Sequence, residues 1–220
     1  MTVVLIHGVG KGFSEETDEL SKAVYAKLLG IPEGELELYD WAKTLDASWL
    51  DGTKRRRFFR WNPLRKVLKL DYWGDNIDDV LAYFLDKGTR TKAIDQLRDR
   101  LRGVDDATPR VVTVVAHSLG SVLLWQTLHQ LPSYRFNVVL LGSPLAMKLV
   151  RAKVWLDGCR KEPPANKAVI LSGRRDPVAA WGRRWCNGWN EPDLPYLNHD
   201  LLPYLEQARV YLNKWHYRSK

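Results

Sequence analysis

Short apolar runs rich in β-branched residues alternate along this chain with stretches of helical spacing. Val3 to Ile6 is the first such run and reads as a buried strand. A helical pattern follows from Ser14, a plausible N-cap, to about Leu29, with Asp18 and Glu19 placing acids in its first turn. Glu35 to Trp41 alternates as a strand at a sheet edge would. From Asp75 to Leu101 the apolar positions (Ile77, Val80, Leu81, Phe84, then Ile94, Leu97, Leu101) keep helical spacing, interrupted around Gly88. Arg110 to Val115 reads as a buried strand, and Ser121 to Leu128 as a helix packed over much of its surface. Asn137 to Leu141 and Lys167 to Leu171 are further buried strands, and Leu201 to Trp215 closes the chain as a helix. The alternation predicts an α/β fold: a doubly wound, mostly parallel sheet of about five to six strands with helices on both faces. Such sheets carry their chemistry at the carboxyl ends of the strands.

The turn between the third strand and its helix, Ala116-His117-Ser118-Leu119-Gly120, carries the most chemistry. A serine at a sharp strand-to-helix turn, with tiny residues two before and two after it, is a nucleophile elbow. The small neighbours let strand and helix nearly touch, and the turn lifts the hydroxyl to the sheet edge. Alanine stands at 116 where glycine is usual, a departure of one methyl.

Other candidates also follow strand ends. His7-Gly8-Val9-Gly10 comes directly after the first strand. Attack by a serine needs backbone N–H donors aimed at the developing oxyanion. Leu119, at the helix start, is one candidate donor, and Val9 in the glycine turn is the other. That turn lacks the spacing of a phosphate-binding Walker loop and the third glycine of a dinucleotide fingerprint, so no nucleotide cofactor is expected.

A base must reach Ser118 and an acid must orient the base. Of five histidines, His7 and His117 belong to the two turns, where they shape the loops. His129 lies about three turns into the elbow helix and His216 near the C-terminus. His199, in the loop before the last helix, remains. Asp176 follows the last clear strand, giving the order serine, acid, histidine. Asp200, Asp193 and Asp157 are rival acids.

The segments Leu5-Ile6-His7-Gly8-Val9-Gly10, Val115-Ala116-His117-Ser118-Leu119-Gly120-Ser121, Leu141-Gly142-Ser143-Pro144, Gly173-Arg174-Arg175-Asp176-Pro177-Val178 and Asn198-His199-Asp200 together resemble the α/β-hydrolase superfamily, in particular its small bacterial lipase- and esterase-like serine hydrolases. The resemblance implies Ser118 as nucleophile, His199 as general base, Asp176 as its partner and an oxyanion hole of Val9 and Leu119 amides. It implies hydrolysis of a carboxylic ester through an acyl-enzyme, with no metal or organic cofactor. Lipase, phospholipase and thioesterase chemistry use the same set, and a non-catalytic lipid- or partner-binding protein on this fold is a further alternative.

Composition adds one local feature. At 220 residues, 45% hydrophobic and 27% charged, the chain reads as one globular domain. The net charge is +8, and between Thr53 and Leu70 lie eight basic residues (Lys54, Arg55, Arg56, Arg57, Arg60, Arg65, Lys66, Lys69) with no acid. The 26 basic residues elsewhere equal the 26 acidic ones, so this stretch carries the whole excess. Phe58, Phe59 and Trp61 are interleaved with it. Residues 43–75 therefore read as a basic, aromatic insert: a lid, a contact for an anionic membrane through residues 54–69, or plain surface, with nucleic acid less favoured. Trp181, Trp185 and Trp189 recur every four residues between acid and histidine. With His7, Trp181 and Trp185 are candidates for a substrate pocket; core packing would use such tryptophans equally well. Cys159 and Cys186 lack metal-ligand spacing and read as free thiols. No run approaches the roughly 18 apolar residues of a membrane span, and the first residues enter a strand without a charged leader, so the expected location is cytoplasmic. The sequence leaves the oligomeric state open.

Overall fold

A computed structural model describes residues 2–8, 15–41, 83, 86–107, 111–131, 136–176, 178–179, 189, 193–194 and 197–217. The basic insert, Val9, Trp181, Trp185, Cys186 and the proposed cap Ser14 lie outside the described residues.

In chain order the elements are β1 (Val3–Ile6), α1 (Glu15–Leu29), β2 (Leu36–Tyr39), α2 (Lys87–Ala107), β3 (Thr113–His117), α3 (Leu119–Leu128), β4 (Asn137–Leu141), α4 (Lys148–Leu156), β5 (Lys167–Gly173), β6 (Asp193–Leu194) and α5 (Leu201–Tyr217). The strands form one sheet in the order β2-β1-β3-β4-β5-β6, every neighbouring pair parallel. Glu35 to Trp41 was expected to yield an edge strand, and β2 is one among the described residues. Ile6 pairs with Ala116 and His117 with Leu141, which brings the carboxyl ends of the central strands level.

Alternation along each strand sorts the core into two layers. Val4, Ile6, Val114, Ala116, Val138 and Leu140 face α2, α3 and α4, and Trp125 of α3 packs there. Val3, Leu5, Val115, Val139, Leu141, Val169 and Leu171 face α1 and α5. Both faces are covered, which explains why β1 and the middles of β3, β4 and β5 are apolar rather than alternating. All ten residues of α3 are buried, so it is the central helix of its layer.

Several boundaries differ from the sequence pattern. The strand expected at Arg110 to Val115 begins at Thr113 and runs to His117, and its helix starts at Leu119 rather than Ser121. The interruption at Gly88 is a helix start: Asp86 accepts from the Gly88 and Thr89 N–H groups and α2 then runs unbroken. The helix α4 and the two-residue β6 were not expected, being too short to show a period.

Candidate active site

Three strand ends converge on one place. At the end of β3, Ser118 has φ 52° and ψ −128°, and it is the one non-glycine residue with positive φ among the described residues. Its N–H donates to Leu141 O at 2.9 Å, extending the ladder one residue past the strand. A residue with a Cβ is strained in this region, and the strain is held by tight packing on both sides. A Cβ on Gly8 would fall 2.8 Å from Ser118 Cβ, and one on Gly120 would fall 2.4 Å from His7 O. Glycine at 8 and 120 is therefore a steric requirement. Ala116, by contrast, is a core residue of β3 whose methyl is accommodated among the apolar side chains of the α3 layer.

His199 lies in the loop before α5. Its Nε2 is 2.8 Å from Ser118 Oγ, and its Nδ1 is 3.0 and 2.9 Å from the two carboxylate oxygens of Asp176. A carboxylate only accepts, so Nδ1 carries the proton and Nε2 is left to accept from the Ser118 hydroxyl.

Asp176 is fully buried after β5. Burial pushes its carboxyl pKa up, but the hydrogen bond and charge of His199 and donors from Tyr204 and the Ala179 N–H outweigh it, and the net shift is below the ordinary carboxylate value. Oδ1 accepts from the Val178 and Ala179 N–H groups at 2.8 and 3.0 Å; Oδ2 accepts from the Tyr204 hydroxyl at 2.7 Å. That hydroxyl in turn accepts from the Gly173 N–H at 2.8 Å. Burial and then the Asp176 charge drive the Tyr204 pKa far up, so it stays a donor. Gly142, φ 52°, closes the floor: a Cβ there would lie 2.8 Å from Asp176 Oδ2 and 3.1 Å from His199 Nδ1.

The elbow is braced from below. Ser121 Oγ is 2.5 Å from Ser118 O and 2.6 Å from Ser143 Oγ. The carbonyl must receive the Ser121 proton, so Ser143 donates to Ser121, while its own oxygen accepts from the Leu145 N–H at 3.3 Å. Leu119 begins α3, so its N–H has no intrahelical partner and points out of the helix start. Val9, named as the second donor, lies outside the described residues. At the end of β1, Trp41 Nε1 donates to His7 O at 3.0 Å.

The other candidates are placed elsewhere. Asp157 binds Gln126 Nε2 at 2.9 Å and Lys153 Nζ at 2.8 Å, and Asp200 is exposed. Asp193 belongs to β6, paired with Ser172. His129 has its ring nitrogens 2.8 Å from Trp125 O and Lys161 O, away from Ser118. His7 is half-buried, with its ring 6.5 Å from that of His117 and its pKa lowered by burial. Trp189 packs on Trp125 at 5.3 Å between ring centroids and belongs to the core. Trp181 and Trp185 lie outside the described residues. Cys159 is buried and free. No helix among the described residues is long and apolar enough to cross a membrane.

The sequence reading missed Tyr204 and understated His117. Tyr204 sits at a buried position of α5, where a leucine would serve the core; only its hydroxyl, facing two polar groups at once, distinguishes it.

No protein-family model matches the chain, and no curated protein matches it by sequence. Solved structures do. A dienelactone hydrolase from Anabaena variabilis ATCC 29413 superposes with TM-score 0.54 at 16% identity, covering 99% of this chain and 86% of that one. An S-formylglutathione hydrolase from Agrobacterium tumefaciens gives TM-score 0.51 at 11% identity, covering 99% and 83%. The ydeN gene product of B. subtilis gives 0.50 at 14%, covering 100% and 99%. With its strand order, its covered parallel sheet and the positive-φ serine between β3 and α3, the chain has the fold of the α/β-hydrolase superfamily.

Proposed function

We propose that this protein is a serine hydrolase that cleaves carboxylic esters through an acyl-enzyme. The observation that carries the reading is the continuous line from Asp176 through His199 to Ser118 Oγ, with hydrogen bonds of 2.9 and 2.8 Å at the carboxyl ends of β5 and β3. His199 Nε2 takes the Ser118 proton as Oγ attacks the ester carbonyl carbon. The oxyanion is held by the Leu119 N–H and, in this proposal, the Val9 N–H. Asp176 stabilises the imidazolium without taking its proton. Nε2–H then protonates the leaving alcohol, and water attacks the acyl-enzyme by the reverse sequence. Nucleophile, base and proton all come from side chains, and the scheme calls on no cofactor or metal.

Hydrolysis of p-nitrophenyl esters, acetate through palmitate, by the wild type and Ser118→Ala tests this. The expected outcome is wild-type turnover reduced by roughly 10⁴-fold or more in the variant. Equal turnover by both proteins would reject it.

A lipid-surface ester or thioester is the second reading, favoured by one observation: eight basic residues without an acid between Thr53 and Leu70, interleaved with aromatics. Under it, residues 54–69 hold the enzyme on an anionic bilayer. Turnover of long-chain substrate should then rise with anionic vesicles and not with neutral ones.

A further inference from the structure

His117 takes no part in the proton transfer above, yet it is built into the same place. It is the last residue of β3, immediately before Ser118, and only 6% exposed. Strand alternation sends its side chain to the α5 face together with Val115. There its ring lies 4.9 Å from the His199 ring at a tilt of 34°, and 6.1 Å from Tyr204. Its Nε2 is 3.1 Å from the backbone carbonyl of His199. A carbonyl only accepts, so Nε2 bears the proton and Nδ1 is bare. Nδ1 is buried and has no hydrogen-bond partner among the described residues; a Cβ on Gly8 would lie 3.4 Å from it.

An unpaired buried polar atom is destabilising, and a phenylalanine would fill the same space without that cost. The bond from Nε2 offsets the penalty by doing something no core side chain does. His199 sits in a loop, and both ring nitrogens of its imidazole are engaged, by Ser118 and Asp176. His117 ties the backbone of that loop to β3, the strand that presents Ser118 one residue later.

We propose that His117 is a positioning residue, whose Nε2–H holds the His199 backbone so that nucleophile and base share one rigid support. The inference rests on the proposed base role of His199. The groups facing the His117 ring are His199, His7, Tyr204 and Asp176. Burial, then the nearness of His199 and His7, holds its pKa down to about 3 against the opposing charge of Asp176. The ring that backs His199 is consequently neutral when His199 becomes an imidazolium.

His117→Phe keeps a ring and removes the donor; His117→Gln restores an N–H of similar reach. In the phenylalanine variant kcat should fall by about 10- to 100-fold, the scale of a small misplacement of a reacting group, with KM within about twofold. The downfield Nδ1 proton of His199 in NMR should broaden or shift, and glutamine should recover much of kcat. A phenylalanine variant with wild-type kcat and an unchanged His199 resonance would overturn the proposal while leaving the serine mechanism intact. Wild-type turnover in Ser118→Ala would instead remove the reading beneath it. Nitrogen-15 spectra of the unmutated protein give an independent check: His117 must be the neutral Nε2–H tautomer at neutral pH, and the Nδ1–H tautomer would overturn the proposal without any variant having to fold.

Discussion

The Tyr204 hydroxyl donates to Asp176 Oδ2 at 2.7 Å from a helix that begins only after the histidine loop. The acid is thereby gripped by α5 as well as by its own turn, and His199 is enclosed between two parts of one support. Removing the hydroxyl leaves a buried charge one donor short and the Gly173 N–H without its acceptor. Tyr204→Phe should lower stability by about 2 kcal/mol, the range for a hydrogen bond to a charged group, and kcat by about tenfold as the carboxylate loosens. Denaturant unfolding and ester kinetics on the same preparation check both, and no change in either would show that His199 and the backbone donors hold Asp176 without Tyr204.

Glycine at 142 should resist substitution for reasons of both conformation and space. Its φ of 52° costs an L-residue about 1–2 kcal/mol, and the added methyl would press on Asp176 Oδ2 and His199 Nδ1. Gly142→Ala should therefore lose activity as well as stability. Gly103 in α2 meets nothing within 4 Å and is exposed, so Gly103→Ala should stabilise by about 0.5–1 kcal/mol with activity unchanged. Thermal melts of the two variants should move in opposite directions, and ester turnover should fall in Gly142→Ala alone.

His117 gives stability a sign with pH. It is neutral in the folded protein down to about pH 3, whereas the unfolded chain protonates it below 6.5. Between those values the unfolded state holds the extra proton, so this group makes stability fall as pH falls, by about 1.4 kcal/mol per unit. His7, its pKa also lowered by burial, adds in the same direction. Asp176, with a depressed pKa, contributes stability that is present above its ordinary value of 3.8 and is lost as pH falls through the lower folded value, so its loss comes later in the acid limb. Unfolding free energies at pH 7, 6 and 5 should converge between the wild type and His117→Phe as pH drops, or the variant should overtake. Parallel pH curves would contradict a buried neutral His117.

The sheet was legible because its strands are buried on both faces, so Val3 to Ile6, Val138 to Leu141 and Ala168 to Leu171 are apolar throughout and stand apart from the helices. The three side chains now linked through His199 at 2.8 to 3.0 Å were legible for a different reason: each follows a strand end or precedes a helix, and few histidines and loop acids were available. What escaped the sequence was relation without pattern. Nothing in the spacing of α5 separates Tyr204 from its apolar neighbours, and His117 looked like a loop residue because β3 was expected to end two residues earlier, at Val115. The two-residue β6 has no period to read. The basic insert, Val9, Trp181 and Trp185 lie outside the described residues, and their expected roles stand as proposals.

The backbone of Ser118 should reveal what the elbow costs. A non-glycine residue at φ 52° and ψ −128° carries strain of order 1–3 kcal/mol, imposed by the packing of Gly8 and Gly120 around it. Ser118→Ala and Ser118→Gly both delete the hydroxyl and its bond to His199, so comparing them cancels that loss. Alanine keeps the strained Cβ; glycine adopts the same angles freely and gives back only part of the gain through a more flexible unfolded chain. Ser118→Gly should therefore melt higher than Ser118→Ala, by about 1 kcal/mol in unfolding free energy, while both are inactive toward p-nitrophenyl esters. Alanine equal to or more stable than glycine would mean that the turn is relaxed with a Cβ in place, and that serine stands there at no conformational expense.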